Sequence, residues 1–261
     1  MGAILAAALA LAAMTMVPAS SRADVSATLH VGLVPERLGH GTTIRFGFDL
    51  TEPHGGVPEP VTTVSLFYPL NFGILSSGLG LASCTSAALE ARGAPGCPSR
   101  SLMGFGTATG AIQVGDERVD EQALTAVYLA PFQNGNVTLL FFLDAYMPLS
   151  AERIFDGSLQ PAPAPFGGAL TINVPLIESF PEGPDVALVK LRSTIGPLGI
   201  TYYARTHGQF VPYQPSGIIL PPKCPWGGFP FAARFTFANG HELTVTKKVR
   251  CPRPALAERR R

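Results

Sequence analysis

The C-terminal stretch of the chain carries the pattern that most restricts its fold. Phe229, Phe231, Ala233, Phe235 and Phe237 alternate with polar or small residues, Ala238-Asn239-Gly240 interrupts, and Leu243, Val245 and Val249 resume the alternation. A period of two belongs to strands with one buried face, because successive side chains of an extended chain point to opposite sides. Loop length then sets the register. A two-residue Asn-Gly turn would put Phe235 beside Thr244, apolar against polar. A three-residue loop with Gly240 in the left-handed bulge position puts Phe235 beside Leu243, Ala233 beside Val245 and Phe229 beside Val249, and is the expected form. In that register Lys247 falls on the apolar face opposite Phe231, which a position near the sheet margin would relieve. Cys251 falls opposite Gly227, close to Cys224.

The same period appears from the start of the chain, in Ala27, Leu29, Val31, Leu33 and in Ile44, Phe46, Phe48, Leu50. Val137 to Ala145, apolar apart from Thr138 and Asp144, reads as a strand buried on both faces. Further strands are expected at 61–68, 104–114, 124–129, 169–174, 186–193 and 199–204, with Gly or Pro in almost every gap. Residues 85–93 read as one short helix, started by Ser83 or Thr85 and stopped by Gly93. The expected fold is an all-β antiparallel β-sandwich with one short helix between Cys84 and Cys97. The run from Gln160 to Pro165 is a candidate boundary, but the part after it is short of a second sandwich. One domain over 24–254 is therefore expected, with two small sandwiches as the alternative.

Residues Gly2 to Val17 are apolar and uncharged, followed by Pro18 and a small-residue stretch to Ala23. This is the pattern of a signal peptide over 1–23, with cleavage after Ala19 as the second choice. The mature chain is then expected to be secreted or held in the cell envelope, with no integral membrane span after cleavage. A basic, disordered tail is expected over 255–261. In an exported chain, four cysteines imply two disulfides, and proximity favours Cys84–Cys97 and Cys224–Cys251. Nineteen basic and eighteen acidic residues give a formal charge of +1, which supplies no global field for nucleic acid.

Cys97-Pro98-Ser99-Arg100 with Gly104-Phe105-Gly106, and Cys224-Pro225-Trp226-Gly227-Gly228-Phe229, resemble motifs of a group of uncharacterised secreted proteins of GC-rich bacteria. The resemblance covers about half the chain and implies an extracytoplasmic β-sandwich. It implies no activity.

No G-x-S-x-G elbow, H-E-x-x-H pair, Walker loop or strand-linked Rossmann fingerprint occurs. His30, His40, His54 and His207 are scattered, and no cofactor is expected. The run Asp116, Glu117, Asp120, Glu121 is the candidate calcium site, against the plainer alternative of a solvated turn partly neutralised by Arg118. Tyr202, Tyr203, Tyr213 and Trp226 are the candidate ligand platform, against the alternative that they cap a core, with Trp226 packing on the Cys224 disulfide. The leading expectation is a non-enzymatic structural or binding protein whose partner is cell-wall glycan or an envelope protein. The alternative is a glycan-active hydrolase using Asp144 with Glu152 or Glu178 with Asp185.

Overall fold

A computed structural model of the chain describes residues 25–53, 55–74, 78–148 and 150–252. The expected signal peptide, His54 and the basic tail lie outside the described residues. The strands are β1 (Ser26–Val34), β2 (Gly41–Thr51), β3 (Val61–Pro69), β4 (Leu102–Val114), β5 (Glu117–Leu129), β6 (Thr138–Met147) and β7 (Ala151–Gln160). They continue with β8 (Phe166–Asn173), β9 (Ala187–Ile195), β10 (Tyr202–Thr206), β11 (Gln209–Tyr213), β12 (Ile218–Ile219), β13 (Phe229–Phe237) and β14 (Glu242–Val249). Among the described residues one α-helix, α1 (Ser86–Arg92), precedes β4, followed by two short 3-10 turns at Ala94–Gly96 and Ser99–Ser101.

Antiparallel ladders join eleven of these strands in the order β1-β2-β9-β4-β5-β6-β7-β8-β3-β13-β14. The first and last strands come to lie side by side, so the expected sandwich takes the form of a nearly closed barrel. Closure conceals the sheet edges that would otherwise template aggregation. Strands on both sides of the Pro-rich run 161–165 belong to this one path, with β7 and β8 paired directly across it.

Alternation decides what the barrel encloses. Leu29, Phe48, Leu191, Val127, Phe141, Phe155, Leu170, Val64 and Phe235 all point inward and are buried in one cluster. The last hairpin has the register its side chains require: Phe235 faces Leu243, Ala233 faces Val245 and Phe229 faces Val249. Its loop is Ala238-Asn239-Gly240, with Gly240 at φ 80° and the Phe237 N–H bonded to the His241 carbonyl at 2.9 Å. Lys247 does face Phe231 but is exposed, at the margin where β14 meets β1.

Strand β9 reaches its place only because its neighbours lack side chains where the backbones crowd. A Cβ on Gly47 of β2 would collide with the Leu191 carbonyl oxygen, and one on Gly106 of β4 with that of Arg192. Glycine on both flanks lets β9 sit between β2 and β4 although it follows β8 in the chain.

Helix α1 covers the outer face of β5 and β6. Thr85 caps its first turn, accepting from the Ala88 N–H at 3.2 Å, and the Gly93 N–H closes its end on the Leu89 carbonyl at 2.7 Å. Leu89 then packs with Tyr128, Leu140 and Phe142, which is why β6 is apolar on both faces. The Cys84–Cys97 disulfide ties the ends of this segment, and Cys224–Cys251 clamps the open end of the β13–β14 hairpin.

Two outcomes are expected. Gly106→Ala should cost about 2 kcal/mol or more in denaturant titration, since backbone rather than a movable side chain blocks the added methyl. Replacing both Cys224 and Cys251 by Ala should cost about 3.5 kcal/mol on loop-entropy grounds, with α1 helicity retained by circular dichroism.

Candidate functional site

The barrel interior is not filled evenly. At the end reached by the β4–β5 turn, the inward positions are Ala108 and Gly110 of β4, Ala123 of β5, Ala145 of β6 and Ala151 of β7. Small side chains on four adjacent strands leave a pit of about 310 Å³. Leu143, Phe155 and Leu188 wall it, and Val174, Pro175 and Ile177 of the β8–β9 connection flank it. A concave, mainly apolar space of this size with few polar groups is the usual form of a small-ligand site.

Glu121 and Arg153 are the charged barrel residues that line the pit, joined by Glu178 from the connection. Burial pushes the Glu121 carboxyl above its ordinary pKa, and the positive charge of Arg153 offsets this only in part. A second, smaller cavity of about 80 Å³, lined by Leu29, Phe46, Leu66, Met103 and Phe231 among others, lies farther along the barrel. Between the rows lining the two spaces, Ser193 and Thr125 flank Gly106 on the inner face. Their hydroxyl oxygens are buried with no hydrogen-bond partner among the described residues.

On the outer wall, His30 Nε2 lies 2.7 Å from Asp49 Oδ2, and Arg192 Nη2 donates to the same oxygen at 2.6 Å. Arg192 Nη1 also donates to the carbonyls of Phe48 and Leu191. Burial alone would raise the Asp49 pKa, but the hydrogen bonds from Arg192 and His30 outweigh it and hold the carboxyl below its ordinary range. Gly47 lies between His30 and Arg192 in the ladders and leaves both free to reach Asp49. Outward charges on this part of the wall include Arg45, Asp49, Asp144 and Arg192. Among the described residues, no helix is long and apolar enough to cross a membrane.

The expected site residues are dispersed. Glu117, Asp120 and Glu121 belong to β5 rather than to the turn, which Gly115 and Asp116 make. Asp120 pairs outward with Arg118 at 2.7 Å while Glu121 faces the pit. Among the described residues, no group of three or more His, Cys, Asp or Glu is placed to hold a metal ion.

The aromatic set also divides. Tyr202 is buried, donates to the Leu102 carbonyl at 2.9 Å and packs on Tyr213 at 5.7 Å between ring centroids. Burial, with Tyr213 adding to it, pushes its hydroxyl pKa up to about 12. Tyr203 faces outward on the β10–β11 hairpin, whose turn residues His207 and Gly208 both have positive φ. Trp226 corrects the expectation that it packs on the disulfide: it is 101% exposed. It stands at the tip of a turn closed by the Gly228 N–H on the Pro225 carbonyl, and a turn tip projects its side chain into solvent.

Asp144 and Glu152 face each other directly across β6 and β7 on the outer wall. Glu178 and Asp185 pair through an isolated backbone bridge in the β8–β9 connection. The pit, and the Asp49 cluster, were not singled out from sequence. The signal for the pit was present as Gly and Ala at alternate positions from 104 to 110, but only the barrel shows that Ala123, Ala145 and Ala151 join them.

Comparison with known protein families, characterised proteins and solved structures finds no match to this chain.

Glu121→Gln tests the electrostatics of the pit. A carboxyl with a raised folded pKa contributes most stability below its unfolded pKa and loses it as pH rises through the folded value. The Gln variant should therefore melt slightly higher than the parent at pH 7, by roughly 0.5 kcal/mol or less after solvent screening. The difference should vanish below the carboxylate range. Asp49 has the opposite sign: its contribution is present above the unfolded carboxyl pKa and lost as pH falls through the depressed folded value. Asp49→Asn should cost about 1 kcal/mol at pH 7 and little in acid, as read by pH-dependent urea titration.

Proposed function

We propose that the protein is a non-enzymatic, extracytoplasmic binding protein that holds a small, mainly apolar molecule in the pit at one end of its barrel. The observation that carries this is the coincidence of Gly or Ala at inward positions of β4, β5, β6 and β7. Elsewhere along the interior, larger side chains such as Val, Leu, Ile and Phe predominate and leave a smaller cavity of about 80 Å³. A barrel of this kind can either fill its interior with side chains or keep room for one ligand. Two disulfides suit an oxidising compartment, which supports the export expected from the N-terminal sequence.

The hydrolase alternative draws less support. Paired carboxylates act from opposite sides of a glycosidic bond. Asp144 and Glu152 instead stand side by side on adjacent strands of a convex wall.

A neutral fluorescent probe, N-phenyl-1-naphthylamine, should bind saturably with a rise in emission. Ala123 and Ala145 face each other across β5 and β6, so Leu at both positions occupies the pit from two sides. That double variant should bind the probe at least about tenfold more weakly while still melting cooperatively. No binding by the parent protein, or equal binding by the folded variant, would overturn the proposal.

A further inference from the structure

The outer wall carries a second space unrelated to the pit. Strands β1, β2, β9, β4 and β5 form an open trough of about 650 Å³. One row across it runs His30, Gly47, Arg192, Thr107, Leu124, and Arg45 and Phe105 stand in the next row. Glycine and threonine keep its floor low. Lys247 reaches it from β14, the strand beside β1.

Charge in the trough is one-sided. Lys247, His30, Arg45 and Arg192 stand on β14, β1, β2 and β9; the last three are hydrogen-bonded neighbours spaced by about 4.8 Å, and β14 lies beside β1. Asp49 answers them and is already shared by His30 and Arg192, while the next outward residues beyond Leu124 in the row, Asp144 and Glu152, are acidic and end the cationic stretch. Among the described residues, Arg45 and Lys247 have no ion-pair or side-chain hydrogen-bond partner. The chain as a whole has a formal charge of only +1, so this concentration of cations is local. At the far end Phe105 and Leu124 are 43% and 53% exposed, setting apolar surface beside the cations.

We propose that this trough binds a linear acidic glycan carrying carboxylate or sulfate groups. A single small anion is best held where several donors converge on one point, as at a nest of N–H groups. Here His30 and Arg192 meet at Asp49, while Arg45 and Lys247 stand apart on separate strands of an open channel, which matches anions repeated along a chain. Arginine supplies the planar fork that engages carboxylate or sulfate oxygens in pairs. The exposed ring of Phe105 offers a flat apolar surface to the C–H face of a sugar, a contact that a plain polyanion would not use.

Binding of a heparin-derived octasaccharide and of an oligogalacturonate to the whole protein, measured by calorimetry, tests the proposal. A neutral cello-oligosaccharide and a DNA oligonucleotide of matched charge serve as comparison probes. At least one acidic oligosaccharide should bind, with affinity falling as salt rises. Arg45→Glu with Lys247→Glu should weaken it at least about tenfold, and the milder Arg45→Gln with Lys247→Gln should weaken it less. Both pairs are at the surface and should leave melting and naphthylamine binding in the pit unchanged. Phe105→Ala should weaken the glycans without restoring any DNA preference. The proposal is overturned by no acidic-glycan binding at low salt, by undiminished binding in both folded double variants, or by DNA binding as tightly as the glycans.

Discussion

Everything in this fold depends on β9 entering between β2 and β4. Those two strands are separated by β3 and the α1 region in sequence, and β9 is the piece that joins them into one path. The backbones approach so closely that Gly47 and Gly106 are required on its two flanks. With β9 in place the inward side chains of eleven strands share one interior. Without it β1 and β2 would lose the only ladder that, among the described residues, joins them to the β4–β8 meander.

The same insertion creates both candidate sites. On the inner side, Leu188 of β9 and Val186 just before it come against the small residues of β4 to complete the pit. On the outer side β9 brings Arg192 to Asp49 of β2 and places it in the same row as His30, one row from Arg45. Strand alternation keeps the two apart: one residue inward serves the pit, the next outward serves the trough. Glu121 and Asp120 show the principle most simply, as neighbours in sequence that end on opposite sides of the wall.

Local chemistry was legible in the sequence wherever one segment held all the information. The last hairpin is an example, because only one loop length matches Phe235 with Leu243 and Ala233 with Val245. The short helix is another, since Thr85 and Gly93 carry its cap and its stop within nine residues. The Cys224–Cys251 disulfide followed from the hairpin register. Trp226 was misplaced for the complementary reason: proximity to Cys224 in sequence says nothing about which way a turn tip points. The stretch from Glu117 to Glu121 reads as part of a turn in sequence because β5 begins earlier than its apolar part shows.

Sequence by itself thus determined the antiparallel β class, the alternating faces, the last hairpin and the two disulfides, all of which depend on contacts between near neighbours or on a two-residue period. Tertiary structure alone decided that the strands close into a barrel, that β9 lies between β2 and β4, and that Ala108, Ala123, Ala145 and Ala151 meet around one pit. It likewise decided that His30, Asp49 and Arg192 meet. The physical reason is that a period of two fixes the face on which a side chain lies but not the strand that lies beside it. That choice rests on backbone approach and on the fit of side chains across the interior, which exist only once the sheet has closed.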